Sequence, residues 1–269
     1  MIRLKQISSQ KVGFIGCSPR SGSTLLIRIL DSHSKIASPC EFSLPKYFSK
    51  DKKKKIVNNK YKQICNYYQA NFWISKIFPK HLLAKVIEKE KKECVVLKDP
   101  RQSLFFQSLK RDFTNAKFIH LVRDVRAVAM SPWFTNKPIR GLEIWYEYNL
   151  AVKKVIDKLD ASQKIVVRYE DIVQFPESSI SQLTNFLGYD FEQTMLNYSQ
   201  FSHADDKMKL WGTSGKGLAA NEAPQHQALG TKISKQTMLA RTKYSSKVLE
   251  AYQKLPHVRE MNISFGYES

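Results

Sequence analysis

The segment between Val12 and Leu30 constrains the fold more than any other. An apolar run, Val12-Gly13-Phe14-Ile15-Gly16, passes through Ser18-Pro19-Arg20-Ser21-Gly22-Ser23-Thr24 straight into Leu25-Leu26-Ile27-Arg28-Ile29-Leu30. This is the pattern of a short buried strand turning directly into a helix. Small residues let backbone N–H groups converge on an anion, the helix N-terminus adds partial positive charge, and Arg20 can fork onto phosphate oxygens. Pro19, Arg20, Ser21, Gly22, Ser23 and Thr24 therefore read as a phosphate cradle, and the ligand class they select is a phosphorylated nucleotide.

The cradle departs from the triphosphate pattern G-x-x-x-x-G-K-[ST]. Gly22 is followed directly by Ser23-Thr24, and the one cation stands upstream at Arg20. A lysine for the β- and γ-phosphates is missing, which argues against a triphosphate. The charge balance agrees with an anionic ligand: 44 Lys and Arg against 24 Asp and Glu give a formal charge of +20. Such an excess attracts nucleotides, acidic glycans, anionic lipid surfaces or nucleic acid without choosing among them. The runs at Lys50 to Lys55 and Glu88 to Glu93 read as solvated surface.

Further apolar, β-branched runs at Cys94 to Leu97, Phe118 to Val122 and Ile165 to Val167 predict buried parallel strands. Helical patterns lie between and beyond them at 24–32, 58–73, 102–111, 126–130, 142–159, 177–187 and 232–252. Pro176 and Gly188 mark the start and stop of the sixth. The order is that of an α/β protein, and 269 residues suit one domain over 1–269. Residues 201–230, rich in glycine with little apolar periodicity, predict a long loop.

The four cysteines, Cys17, Cys40, Cys65 and Cys94, show neither a C-x-x-C pair nor a histidine at metal-ligand spacing. We expect reduced thiols and no metal. No run has signal-peptide or membrane-spanning length, so the expectation is a cytoplasmic protein without a transmembrane segment, its basic excess allowing peripheral membrane contact.

Two later elements complete the reading. Phe118 to Val122 ends in Arg123-Asp124-Val125-Arg126, with Ser131 about two helical turns on. Arg123 and Ser131 then lie beyond the carboxyl end of a strand, where an open α/β sheet binds its ligand, and together they can clamp one phosphate. The strand Ile165 to Val167 is followed by Arg168-Tyr169-Glu170-Asp171, then by Phe175-Pro176-Glu177 and Phe186-Leu187-Gly188.

These elements, in this order, resemble the sulfotransferases that use 3′-phosphoadenosine 5′-phosphosulfate (PAPS), over about two-thirds of the chain. The first loop is similar to that family's P-R-S-G-[ST]-T, which holds the 5′-phosphosulfate. The second is similar to its R-D-x-R-A-x-x-x-S, whose first Arg and Ser hold the 3′-phosphate. The third is similar to its R-Y-E-D-L. The resemblance implies a three-layer P-loop-like α/β domain with a central parallel sheet of four or five strands flanked by helices. It also implies PAPS as sulfuryl donor, 3′-phosphoadenosine 5′-phosphate (PAP) as product, and no metal. Carried over, Arg123 and Ser131 take the 3′-phosphate and Tyr169 a nucleotide contact. A further cation towards the C-terminus falls on Lys216, with Lys232 as its rival.

Sulfuryl transfer needs alignment, cations at the leaving oxygen and a base near the acceptor proton. Leu97-Lys98-Asp99-Pro100 puts Lys98 at a strand end facing the cradle, and the run resembles that of tyrosylprotein sulfotransferases, where the lysine assists the leaving group. Glu41 lies 22 residues after Pro19, close enough in sequence to fold back to the mouth of the cradle and accept a proton. In that branch a glutamate at the matching place is the base. The stretch departs from the branch at Cys40 and Ser43, where acidic and basic residues are expected. Catalysis is thus assigned to Glu41, Lys98 and Arg20.

His33 competes for the role of base, because cytosolic sulfotransferases use a histidine, but a place at the end of the first helix fits a dipole-stabilising residue. His120, inside a strand, reads as a core histidine. Expected partners are the nucleotide donor and a hydroxyl acceptor, acidic ones included: a glycan, a phenol, a lipid alcohol or a tyrosine. The oligomeric state is open. A P-loop nucleotide kinase and a basic nucleic-acid-binding protein are the alternatives. The first lacks its lysine, and no aromatic-basic interleaving marks specific nucleic-acid recognition.

Overall fold

The computed structural model describes residues 11–48, 54–134, 136–204 and 244–268. Five strands, β1 (Val12–Gly16), β2 (Ile36–Ala37), β3 (Cys94–Lys98), β4 (Lys117–Val122) and β5 (Lys164–Arg168), run parallel in the order β2-β3-β1-β4-β5. The interior strands β1, β3 and β4 are apolar over most of their length because both of their faces are covered, as in parallel sheets generally, whereas the edge strand β5 is only part-buried. Alternate side chains divide the core. Val12, Phe14, Val95, Leu97 and Phe118 enter one apolar cluster, while Ile15, Cys17, Cys94, Val96, Ile119 and Leu121 enter the other.

The first face is covered by α2 (Lys54–Tyr67), α4 (Lys80–Glu90), α6 (Phe106–Asp112) and α8 (Pro138–Ile156), the second by α1 (Ser23–Asp31), α9 (Tyr169–Gln174), α10 (Pro176–Leu187) and the 3₁₀ segment Gln193–Gln200. The result is the three-layer α/β sandwich with a parallel sheet that the motifs imply. A third apolar cluster joins α7 (Val125–Ala129) and α8 to α11 (Ser246–Gln253) and α12 (Pro256–Ser264). It seats the C-terminal helices beside the end of β4.

Several boundaries differ from the sequence expectation. The helix expected over 58–73 is two: α2 ends at Tyr67, Gln69 takes a left-handed φ of 53°, and α3 (Phe72–Ile77) restarts with Asn71 accepting a bond from the Ile74 N–H. The helix expected over 102–111 is also two, α5 (Pro100–Ser103) and α6. Here Asp99 caps the first turn and Pro100 sits at its first position, so the helix begins earlier, at the strand end itself. The run Glu88 to Glu93 begins inside α4, a helix the charge pattern concealed. β2 is only two residues long, too short to carry a period. Of the expected helix over 232–252 and the loop over 201–230, residues 205–243 lie outside the described part.

Gly16 shows how tightly α8 lies on the sheet. A Cβ there would stand 2.6 Å from Val152 Cγ2 and 2.7 Å from Phe106 Cζ. Gly16→Ala must push α6 and α8 outward, and we expect a loss of about 1–3 kcal/mol of stability in urea unfolding. A stability equal to that of the parent would contradict this packing.

Candidate active site

The cradle is built by backbone geometry. Arg20 and Gly22 both take left-handed φ values, 69° and 83°, which curl the loop so that α1 begins at Ser23. Gly22 is required twice. Its conformation favours glycine, and a Cβ on it would lie 2.2 Å from Tyr169 Cδ2. The loop is braced from below. Ser18 and Ser21 share a hydrogen bond of 2.7 Å, the Cys17 N–H donates to Ser103 Oγ, and Ser103 Oγ donates back to the Cys17 carbonyl, both at 2.9 Å. No side chain caps α1, and its first turn holds no acidic residue. The positive end of the helix is thereby left for an anion. Burial pushes the Cys17 thiol beneath it up to about 11, so no thiolate forms there.

Lys98 and Glu41 meet through a defect in the sheet edge. β2 pairs with β3 at Ala37↔Val95, and pairing resumes at Glu41↔Lys98, so four steps on the edge match three on β3. Pro39, lacking an N–H, interrupts the ladder between them. The bulge brings Glu41 opposite Lys98, and the Phe42 N–H bonds to the Lys98 carbonyl at 3.2 Å. The Lys98 ammonium, 1% exposed, forms an ion pair with Glu41 Oε2 and lies 3.4 Å from Thr24 Oγ1 at the start of α1.

Burial alone would raise the Glu41 carboxyl; the Lys98 charge, with Lys60 and Arg101 adding to it, overcomes this and lowers it to about 2. Burial likewise works against the Lys98 ammonium, and the Glu41 charge outweighs it, for a net upward shift. Both groups are held charged. The Glu41 side chain, 24% exposed, is the half of the pair that reaches solvent.

A second cationic group gathers beyond β4. Arg123, 5% exposed, stacks 4.1 Å over the Tyr169 ring and donates to the Arg20 carbonyl at 3.4 Å. Arg20 Nε donates to Ser131 Oγ at 2.8 Å, and its guanidinium lies 5.6 Å from the Trp133 ring centroid. The Arg20 side chain thus reaches Ser131, beyond β4, from a residue with a left-handed backbone. The Arg123 Nε is buried with no acceptor among the described residues. Trp145, fully buried in α8, fixes the strand end by donating to the Arg123 carbonyl at 2.8 Å.

The rest of the two Arg-rich motifs is structural. Arg126 forks onto Asp124, Glu170 accepts from the Asp124 N–H and from Tyr267, and Arg168 lies 4.4 Å over the Tyr267 ring. Asp124 also accepts from Tyr244, and the Val125 N–H donates to Asn262. These bonds clamp the C-terminal helices against β4 and β5.

The structure separates the two candidate bases. α1 runs antiparallel to the strands, so His33 at its far end lies at the opposite pole of the sheet from the cradle. Its Nδ1 accepts from the Lys35 N–H, and its Nε2 bonds the Asp190 carbonyl, both at 2.9 Å. His120 is in the core, bonded to Asn149, and burial lowers it to about 4. Lys216 and Lys232 lie outside the described residues.

Arg101, Lys60 and Trp133 escaped sequence reasoning. Arg101 is tied bidentately to Asp99, itself bound by Ser43, and stands with Lys60 among the charges that act on Glu41. The signal for Arg101 was present, since Asp99-Pro100 is a helix start that turns residue 101 back onto its own cap. Among the described residues no group of three or more His, Cys, Asp or Glu side chains could hold a metal.

Residues 14–193, which hold every residue of this site, match the model of the Sulfotransferase family. The chain belongs to that family and is a sulfotransferase. It is 28% identical over 204 residues to a Caenorhabditis briggsae protein provisionally named a protein-tyrosine sulfotransferase, covering 71% of this chain and 70% of that one. It is 34% identical over 136 residues to the omega-hydroxy-beta-dihydromenaquinone-9 sulfotransferase Stf3 of Mycobacterium tuberculosis, covering 44% of this chain and 35% of that one. In fold it is similar to the sulfotransferase domain of the Synechococcus PCC 7002 olefin synthase, with a TM-score of 0.65, 21% identity, and 96% and 95% of the two chains covered.

The ion pair is open to a direct check. Lys98→Met and Glu41→Gln should each lower stability by about 1–3 kcal/mol, since each strands a largely buried charge or polar group, and Lys98→Met/Glu41→Gln should cost less than their sum. Strict additivity in chemical unfolding would show that the two groups are not coupled.

Proposed function

We propose that the chain transfers a sulfuryl group from PAPS to a hydroxyl acceptor, with Glu41 as base and Lys98 at the leaving oxygen. The observation that carries this reading is that one buried ammonium, Lys98, touches both the cradle, through Thr24, and the carboxylate that faces outward, Glu41. The donor set suits a bisphosphorylated nucleotide. The uncapped start of α1, with Ser21, Gly22, Ser23 and Thr24, suits one phosphate end. Arg123, with a buried Nε–H lacking an acceptor among the described residues, suits the other, together with Ser131 and Arg20. Tyr169 would flank the nucleotide from its place between Gly22 and Arg123. Arg20 serves the second phosphate rather than the first, since its Nε bonds Ser131 Oγ.

Bound there, PAPS supplies an activated sulfuryl group, and its departure leaves PAP. Lys98 then shares its charge between two anions. Whatever charge it gives to an oxygen beside Thr24 it withdraws from Glu41, and the carboxylate gains proton affinity at the moment the acceptor hydroxyl must lose its proton. The relatives named above carry a tyrosine and an omega-hydroxyl in their names, both hydroxyl acceptors, for which a carboxylate base is suited.

Labelled donor incubated with fractionated cell extract reports transfer without a known acceptor, and calorimetry with PAP reports binding. Glu41→Gln and Lys98→Ala should each lower transfer by about 10²–10⁴-fold, with PAP affinity changed by less than about tenfold in Glu41→Gln but weakened in Lys98→Ala, whose ammonium reaches the 5′-phosphate. Arg123→Ala should instead lower PAP affinity at least about tenfold. Full transfer in both Glu41→Gln and Lys98→Ala would overturn the assignment.

The pH profile carries a sign. Because Lys98 lowers the carboxyl to about 2, kcat/KM, which reports the free enzyme, should show no acid limb near the ordinary glutamate value of about 4.3. In Lys98→Met the limb should move up into that range for the residual activity. An acid limb at the ordinary value in the parent would contradict the pairing.

A further inference from the structure

On the wall that carries Glu41, the short helix α3 and the residue after it turn their apolar side chains to solvent. Trp73 is 69% exposed, Ile74 45%, Ile77 63% and Phe78 61%. These residues lie within one stretch of six, and no other part of the described chain exposes four large apolar side chains so close together in sequence. The helix is nevertheless firmly held. Tyr61 of α2 donates to the Ser75 carbonyl at 2.9 Å, and Ser75 is buried. Phe72 packs on Tyr61 with ring centroids 6.3 Å apart, and Tyr61 packs on Phe42, next to Glu41, at 6.1 Å. The exposed side chains therefore project from a fixed ridge.

The sequence flanking the ridge carries basic charge. From Lys54 to Ile87 the chain holds seven lysines and no Asp or Glu. Lys76 lies 5.5 Å from the Trp73 ring centroid and 5.7 Å from that of Phe72, and Lys80, two residues past Phe78, is exposed. Among the described residues no helix is long and apolar enough to cross a membrane.

We propose that α3 and Phe78 dock the protein on an anionic lipid bilayer, with Trp73, Ile77 and Phe78 entering the interface and the lysines meeting headgroup phosphates. The chemistry favours a bilayer over a protein. A protein partner would need a socket for Trp73 and a set of carboxylates against the lysines, whereas a bilayer offers hydrocarbon beneath a plane of negative charge. Tryptophan and phenylalanine beside lysine are the residues that settle at such a boundary. Docking here brings the Glu41 wall close to the lipid surface. The proposal does not depend on which donor or acceptor the enzyme uses.

The test uses the full chain and two vesicle preparations, phosphatidylcholine alone and phosphatidylcholine mixed with phosphatidylglycerol. Co-sedimentation should occur with the anionic vesicles and weaken as salt is raised. Trp73→Ser/Ile77→Ser/Phe78→Ser should lower the partition coefficient at least about tenfold with an unchanged melting temperature. Brominated acyl chains should quench tryptophan fluorescence in the parent, and Trp73→Phe should abolish that quenching while still binding. Three results would overturn the proposal: no binding to anionic vesicles, equal binding by the triple variant, or quenching that survives Trp73→Phe. A dimer that the triple substitution dissociates, without vesicle binding by either form, would reassign the ridge to self-association.

Discussion

A single buried ammonium organises this site. Lys98 ends a strand whose interior position denies it water, and a charge in that place persists only against a partner. The bulge after β2 delivers that partner, Glu41, and the first turn of α1 adds Thr24. The sheet edge, the cradle and the outward-facing carboxylate are thereby fixed relative to one another by one cation. The cradle itself is indifferent to chemistry, since any anion suits an uncapped helix start. What distinguishes this one is the lysine beside it, which touches both the cradle, through Thr24, and the outward-facing carboxylate of Glu41; in the proposed function it links the leaving oxygen to the base.

The Arg-rich motifs show how short motifs divide their labour. In Arg123-Asp124-Val125-Arg126 the first arginine faces Tyr169 and the cradle, while Asp124 and Arg126 bind each other and Tyr244. In Arg168-Tyr169-Glu170 the tyrosine alone faces the site, and its neighbours hold Tyr267 and the Asp124 N–H. Both motifs therefore do two things at once: one residue in each packs beside the cradle, and the others anchor the C-terminal helices beside the end of β4. A substitution at Asp124 or Glu170 acts through the second role.

Four of the five strands and the cradle were readable from sequence because their signals are local, continuous apolar runs and small residues at a strand-to-helix turn, whereas β2, two residues long, carried no such signal. The placement of Lys98 at a strand end and of Arg123 beyond β4 followed from the same rule. Among the features that were not readable, three bear most on the site and the ridge. The bulge that pairs Glu41 with Lys98 depends on a long-range register, so the sequence allowed Glu41 to return without showing how. Arg20 looked like a member of the cradle by position, and its bond to Ser131, 111 residues away in sequence, is a long-range contact with no local signal. The ridge of α3 was hidden because aromatic spacing over 58–73 fits one continuous helix, and the left-handed turn at Gln69 that breaks it has no glycine to announce it.

The proposed function requires two anion sites at fixed separation, one at the start of α1 beside Lys98 and one formed by Arg123, Ser131 and Arg20. A crystal structure of the protein with PAP measures this directly. The 5′-phosphate should lie against the Ser21 to Thr24 amides within hydrogen-bond reach of Lys98, and the 3′-phosphate against Arg123 and Ser131, with Glu41 facing the opening beyond the 5′ end. A nucleotide bound with its 3′-phosphate at Lys98, or with both phosphates away from Arg123 and the α1 start, would contradict it.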